Sequence, residues 1–286
     1  MSNLPLVSVI IASYNHAPYV EESILSVLEQ TYPNIELLVV DDGSSDDSVE
    51  RIQRLQLEHG FSFLVQPNQG LSRTLNDCIA RAKGDLIAPL GSDDVMLPER
   101  IATQVAYMNG KPEVGICAGN VLTIDAQGNT VQKRFRERVF RRLDFDAMFN
   151  AVESGPPAPT LLFRREALQA VGGFDPEIRL EDLQVELKIA HAGYFIDVLN
   201  DVMAKYRVHG ANTYKNRRFM VEQVMATYRC FADHPDYDRA CAKFLNSMFL
   251  KCAKSDPVLA RELLSNLPLR HWNTKTVRGL GRLLLG

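Results

Sequence analysis

Three short apolar runs in the first hundred residues stop abruptly on polar clusters: 7–15 (VSVIIASYN), 37–48 (LLVVDDGSSDDS) and 86–94 (LIAPLGSDD). Each is rich in β-branched or large apolar residues and is followed by a stretch with helical spacing. That pattern predicts parallel strands buried on both faces and joined by crossover helices. Val20, Ile24, Val27 and Leu28 mark the first helix, with Pro18 suited to its opening turn. Val49, Ile52 and Leu55 mark the second, and Leu71, Leu75, Cys78, Ile79 and Ala82 the third. A strand at 62–65 precedes that third helix, and Pro98 opens a fourth. The β-α-β-α-β-α-β order predicts an α/β fold: a Rossmann-like, mostly parallel sheet flanked by helices, with residues 1–112 as a nucleotide-binding half.

The pattern changes further along. Residues 115–132 read as a hairpin turning at 126–129, and 160–163 as a strand. Gly172-Gly173-Phe174-Asp175-Pro176 is a tight turn, and a helix begins near Asp182 and stops at Gly193. Two strands follow at 194–198 and 203–208, ending in Tyr206-Arg207-Val208-His209. From about 215 onward the spacing is helical to the end, which predicts a C-terminal helical appendage over 214–286.

Composition narrows the class. A chain of 286 residues with 46% hydrophobic content can bury a substantial core, and a net charge of −3 gives no reason to expect nucleic acid as a partner. No apolar run is long enough to span a bilayer. The N-terminus lacks the basic region and cleavage site of a secretory signal. The 5 cysteines show no C-x-x-C spacing and read as reduced core thiols, so a cytoplasmic location is expected.

In open α/β sheets the ligand sits beyond the carboxyl ends of the strands. Here those ends carry Ser13, Tyr14 and Asn15, then Asp41 and Asp42, then Asp93 and Asp94; a third acidic pair, Glu181–Asp182, opens a later helix. Aspartates can serve merely as helix caps. Three such pairs at element ends fit better a divalent cation, Mn²⁺ or Mg²⁺, held with a diphosphate. Other chemistries lack their motifs. The first strand is followed by ASYNHA rather than G-x-G-x-x-G, and there is no Walker loop, H-E-x-x-H or G-x-S-x-G elbow. A sugar-phosphate nucleotidyltransferase would need a glycine-rich basic loop after the first strand, which is missing.

These residues resemble inverting family 2 glycosyltransferases of GT-A fold, of the bacterial cell-surface glycan and lipopolysaccharide type. The resemblance rests on VSVIIASYN, Q-T-Y-P-N, VVDDGSSDDS, N-Q-G-L-S at 68–72, GSDD with LPER, GGFDP, Glu181-Asp182 and YRVHGANT at 206–213. It spans roughly 5–213 and implies a catalytic domain over 1–213, with 113–213 as its acceptor half. It also implies roles. Ser13, Tyr14 and Asn15 would line the nucleotide pocket, Asp41 would bind the base, Asp93 the ribose, and Asp94 the cation bridging the diphosphate. Arg207 and His209 would reach the diphosphate or the acceptor, with Asp42 a further candidate. Asp182 would be the general base, with Glu181 the second choice. The implied reaction moves a hexosyl or rhamnosyl group from a UDP- or dTDP-sugar to a glycan or glycolipid hydroxyl. Two departures stand out: Gly91 occupies the first place of D-x-D-D, and Leu183-Gln184-Val185 replaces a tryptophan-rich helix start. Gly91 is the one feature favouring a non-catalytic nucleotide- or glycan-binding module.

Two basic features remain. Residues 133–142 (KRFRERVFRR) hold 6 basic side chains and 1 acid, and read either as a solvated loop or as a contact for an anionic acceptor through Arg134, Arg136 and Arg138. Val277, Leu280, Leu283 and Leu284 could form one face of a final helix with Arg278 and Arg282 beside it. That helix would either dock on protein or lie on the cytoplasmic face of the inner membrane.

Overall fold

The computed structural model describes residues 4–131, 139–151, 155–210 and 215–285. Strands and helices alternate at the start: β1 (Val7–Ser13), α1 (Val20–Leu28), β2 (Ile35–Asp41), α2 (Ser48–His59), β3 (Ser62–Val65), α3 (Leu71–Arg81) and β4 (Leu86–Gly91). Then come β5 (Val95–Met96), α4 (Arg100–Met108), β6 (Val114–Ile124), β7 (Arg141–Leu143), α5 (Phe145–Phe149), β8 (Leu162–Arg164), α6 (Arg165–Ala170), α7 (Glu181–His191) and β9 (Phe195–Arg207). The last helices are α8 (Arg217–Arg229), α9 (Tyr237–Cys252), α10 (Pro257–Ser265) and α11 (Thr274–Leu285).

Contacts divide the chain into two compact units, one of 1–145 with 155–210 and one of 146–154 with 211–286. The first is built on one sheet in the order β3-β2-β1-β4-β8-β6-β9-β5, with β7 also paired to β9. β1 to β4 are mutually parallel, β8 runs against both β4 and β6, and β6 and β9 are parallel, so β6 and β9 point the same way as β1. β1 is buried along almost its whole length, as expected of a strand covered on both faces. One side of the sheet packs Val9, Ile11, Leu37 and Val39 against Val20, Ile24 and Val27 of α1, Ile52 and Leu55 of α2, and Ile101 and Val105 of α4. Fully burying each such side chain is worth about 1.5–3 kcal/mol, so the apolar stripes of the helices fix which face of each turns inward.

Two expectations are revised. The strands expected at 194–198 and 203–208 are a single strand, β9, whose exposed Asn200–Asp201 merely looked like a turn. β6 takes up the irregularity through register shifts against it. The hairpin expected over 115–132 closes through one bridge, Ile124 to Thr130, around a turn with Gly128 at φ +85°. The tight turn before α7 has Gly172 and Gly173 at φ +74° and +71°, left-handed geometry that glycine adopts at little cost.

The second unit is helical. α9 lies at its centre, and Leu245, Met248, Phe249 and Cys252 pack with Leu259, Leu263 and Leu267. Asn216 caps α8 through Phe219 N (3.1 Å), and Asp256 caps α10 through Leu259 N (3.0 Å). α11 docks on α9: buried Thr276 donates to Asn246, Leu280 and Leu283 join the cluster, and Gly279 leaves room for the Phe249 ring. The expected apolar face is therefore split. Leu280 and Leu283 turn inward, while Val277 and Leu284 are 66% and 81% exposed. Among the described residues no helix is long and apolar enough to cross a membrane.

Candidate active site

Strand register sets the acidic edge level. Ser13 pairs with Asp41 across β1 and β2, and Ala12 with Gly91 across β1 and β4, so three strand ends finish side by side. At the first, the fully buried Ser13 hydroxyl has no hydrogen-bond partner among the described residues, and Tyr14 is exposed. Asn15 sits at φ +54° and cross-links two loops, donating its N–H to Ser44 Oγ (2.8 Å) and accepting from Ser45 N (2.8 Å). At the second, Asp41 accepts from Ser44 N (2.8 Å) and Ser44 Oγ (2.6 Å), closing its own turn. Asp42 accepts from Gln66 Nε2 (2.9 Å), Gln69 N (3.0 Å) and Gly70 N (2.9 Å), which ties the loop before α3 to the end of β2. Asp42 thus organises backbone, a role that spacing alone does not distinguish from ligand binding.

The third strand end departs most from expectation. Asp94 is buried, and its Oδ1 accepts the Arg207 N–H at 2.8 Å. Burial and the neighbouring Asp93 carboxylate hold its acid well above the usual range. Asp93 is instead only partly buried, with Oδ2 2.8 Å from His209 Nε2. Next to it lies His16, whose Nδ1 is 2.7 Å from Ser92 Oγ and whose ring meets His209 edge-on with centroids 5.7 Å apart. Burial lowers the pKa of His16, favouring the neutral imidazole a metal requires. His16, Asp93 and His209 each offer a ligand atom within 4.8 Å of the others. One carboxylate and two imidazoles suit a borderline divalent ion such as Mn²⁺. Nothing in the sequence joins His16 to Ser92, 76 residues away, or to the still more distant Asp93 and His209; its place just past a strand end is the one signal available.

Arg207 is only 2% exposed, so it forms the frame of the site. It donates to Asp93 O (2.7 Å) and Asp125 O (3.3 Å), pairs with Glu22, and stacks over Tyr19 at 4.9 Å. The other side of the picture is the Tyr19 ring tilted against His209, with centroids 5.2 Å apart.

Topology carries the last acidic pair to the same edge. α7 ends near the start of β9, which begins beside the start of β6, so its first turn lies toward the carboxyl ends of the strands. Glu181 and Asp182 stand in that turn, both half-buried. Burial and the adjacent Asp182 push Glu181 up to about 8; burial also raises Asp182, against a 2.7 Å bond from Leu183 N. Among the described residues neither is hydrogen-bonded to the Asp93 group. One turn further, Glu186 is buried and its acid is raised well above the usual range by burial and by Asp182.

Arg134, Arg136 and Arg138 lie outside the described residues. At the end of that basic run, Arg142 makes a bidentate pair with buried Asp197, through Nε at 2.9 Å and Nη2 at 2.7 Å. His191 packs edge-on against Phe145.

The sequence model of the family described as Glycosyl transferase family 2 matches residues 8–172, more than half of the chain. The chain belongs to glycosyltransferase family 2. An uncharacterized glycosyltransferase of Nostoc sp. is 30% identical, over 98% of this chain and 88% of the relative. TuaG of Bacillus subtilis, described as a teichuronic acid biosynthesis glycosyltransferase, is 28% identical over 79% of this chain and 88% of its own. Among solved structures, S. aureus TarS 1–349 in complex with UDP-GlcNAc matches with TM-score 0.70 and 17% identity, over 93% of this chain and 82% of that one. The mannosyltransferase PcManGT from Pyrobaculum calidifontis, in complex with GDP-Man and Mn²⁺, matches with TM-score 0.64 and 19% identity, over 99% and 86%. The fold of this family 2 enzyme is GT-A: a mixed sheet flanked by helices.

Proposed function

We propose that this glycosyltransferase moves a sugar, with inversion, from a nucleoside-diphosphate donor to a hydroxyl of a glycan or glycolipid acceptor in surface-polysaccharide synthesis. The observation that carries the reading is the grouping of His16, Asp93 and His209 beside three level strand ends. The donor nucleotide lies along Ser13, Tyr14, Asn15 and Asp41. UDP-GlcNAc in TarS and GDP-Man in PcManGT support a nucleotide sugar as the donor class. The description of TuaG as a teichuronic acid biosynthesis glycosyltransferase supports the acceptor class.

Asp93 and His209, with His16 beside them, would hold the divalent cation, Mn²⁺ or Mg²⁺. The cation seat thus moves one residue from Asp94, which is buried and turned toward Arg207 N, and leaves the ribose role of Asp93 unneeded. When bound, such a cation supplies charge neutralisation at the departing diphosphate. Asp182 accepts the proton of the acceptor hydroxyl as that oxygen attacks the anomeric carbon from the face opposite the diphosphate. Its raised proton affinity suits a base working near neutral pH. Arg207 holds the Asp93–Asp94 turn in register rather than touching the donor.

The two flanks of α11 support a peripheral seat on an anionic membrane surface. Val277 and Leu284 lie exposed on one flank, and Lys275, Arg278 and Arg282 follow on the other. Each basic residue near such a surface is worth about 1 kcal/mol.

The reading is tested by turnover of a panel of UDP-, dTDP- and GDP-sugars with Mn²⁺, with and without chelator, in the wild type and Asp182→Asn. Turnover that needs the cation is expected, with a loss of roughly 10²–10⁴ in the variant and donor binding intact. Turnover indifferent to both chelator and substitution would refute it.

A further inference from the structure

Helix α7 carries a carboxyl that the mechanism above does not use. Asp182, Glu186 and Ile189 stand at i, i+4 and i+7 and share one stripe of the helix. The stripe looks onto the sheet, since a Cβ placed on Gly115 of β6 would lie 2.8 Å from Ile189 Cγ2. α7 runs against the direction of β9, so Ile189 lies deep and Asp182 lies at the working edge. Glu186 is one turn beneath Asp182, about 5–6 Å away at Cβ. It is 3% exposed, and no described residue offers it a hydrogen bond or an opposite charge. The charge acting on it is that of Asp182.

An unpartnered polar group in the interior costs free energy that a leucine at the same position would not. The stripe also explains why an incoming molecule is the natural partner: it begins at the group that meets the acceptor hydroxyl. We propose that Glu186 is a specificity-determining residue that hydrogen-bonds a second hydroxyl of the acceptor sugar while Asp182 faces the attacking one. A carboxyl held neutral by burial both donates and accepts, as a sugar hydroxyl does, so the pair is complementary in both directions. The inference rests on Asp182 as the base.

The test compares wild type, Glu186→Leu, Glu186→Gln and Asp182→Asn. Without substrate, Glu186→Leu is expected to melt higher by about 2–4 °C, because an unpaired polar group has been removed. With Mn²⁺ and the nucleotide sugar hydrolysed fastest, p-nitrophenyl glycosides serve as acceptor probes. Glu186→Leu is expected to raise the acceptor KM about tenfold or more and to leave donor hydrolysis unchanged. Glu186→Gln, which can still donate and accept, should restore the acceptor KM. The proposal is overturned if Glu186→Leu melts at or below the wild type, or fails to fold, since the carboxyl would then be supporting the fold. It is also overturned if the acceptor KM is unmoved, or if donor hydrolysis falls equally. The melting comparison needs no substrate and so decides even where no glycoside is accepted. Transfer that survives in Asp182→Asn would instead sink the base reading on which this one stands.

Discussion

Gly91→Ala perturbs the site at its tightest point. A Cβ at that position would stand 2.8 Å from Asp93 Oδ1 and 2.9 Å from Asp94 Oδ2, well inside van der Waals contact. Gly91 has no left-handed φ, so the added methyl brings no backbone strain and its cost is steric alone. Asp94 has little freedom to yield: it is buried and pinned by the Arg207 N–H at 2.8 Å. Asp93 can rotate, but only by leaving His209, 2.8 Å away. Overpacking of this kind costs about 1–3 kcal/mol, which for a unit of this size is a fall in Tm of about 2–10 °C. Disturbing the setting of a metal ligand typically weakens metal binding about 10–100-fold. Melting curves together with Mn²⁺ titration in the presence of UDP or GDP read both effects, and weaker Mn²⁺ binding is expected to exceed what the loss of stability explains. An unchanged melting temperature with unchanged Mn²⁺ affinity would refute the argument. The same geometry accounts for the departure from D-x-D-D, because a longer side chain at 91 has no room while these two carboxylates hold their positions.

Arg207→Met removes a guanidinium that serves two backbone carbonyls and the Glu22 pair; it should lower the stability read from urea unfolding by about 2–4 kcal/mol, and an unaltered midpoint would show that the frame does not depend on it. Burial and the adjacent Asp182 push Glu181 up from 4.5 to about 8, so the stability it contributes is complete below 4.5 and is lost as pH rises through 8. Glu181→Gln should therefore raise Tm over the wild type at pH ~8.5 and not at pH ~4.5; equal differences at both would contradict the assigned burial. Replacing Val277 and Leu284 by serine should reduce sedimentation of the protein with anionic liposomes without changing its melting temperature, because neither side chain is buried. Equal sedimentation of both proteins would remove α11 from membrane contact.

Much of the parallel half of the sheet could be read from the sequence because β1, β2 and β4 are short continuous apolar runs ending on polar residues, each followed by helical spacing. β9 could not be, since Asn200 and Asp201 interrupt it as a loop would, and it is pairing with β6 on either side of them that makes the segment one strand. The acids of the site were visible as types and positions, but their division of labour was not. Whether Asp93 or Asp94 faces outward depends on which of them meets the backbone of residue 207, a contact 113 residues away in sequence. His16 was hidden for the same reason, and the burial of Arg207 does not show in a strand-end motif. Glu186 was legible in principle, as an acid at i+4 from another acid on one helix.

His209 completes the candidate cation seat, and it is nearly the last residue of the first unit to leave the ribosome. A nascent chain that has emerged only as far as residue 172, where the family match ends, already has β1, β2 and β4 with their aspartates. It has neither the imidazole opposite Asp93 nor the guanidinium that locks the Asp93–Asp94 turn. During synthesis the strand ends therefore exist for a time with His16 and Asp93 in place but without the later imidazole and guanidinium that complete their setting.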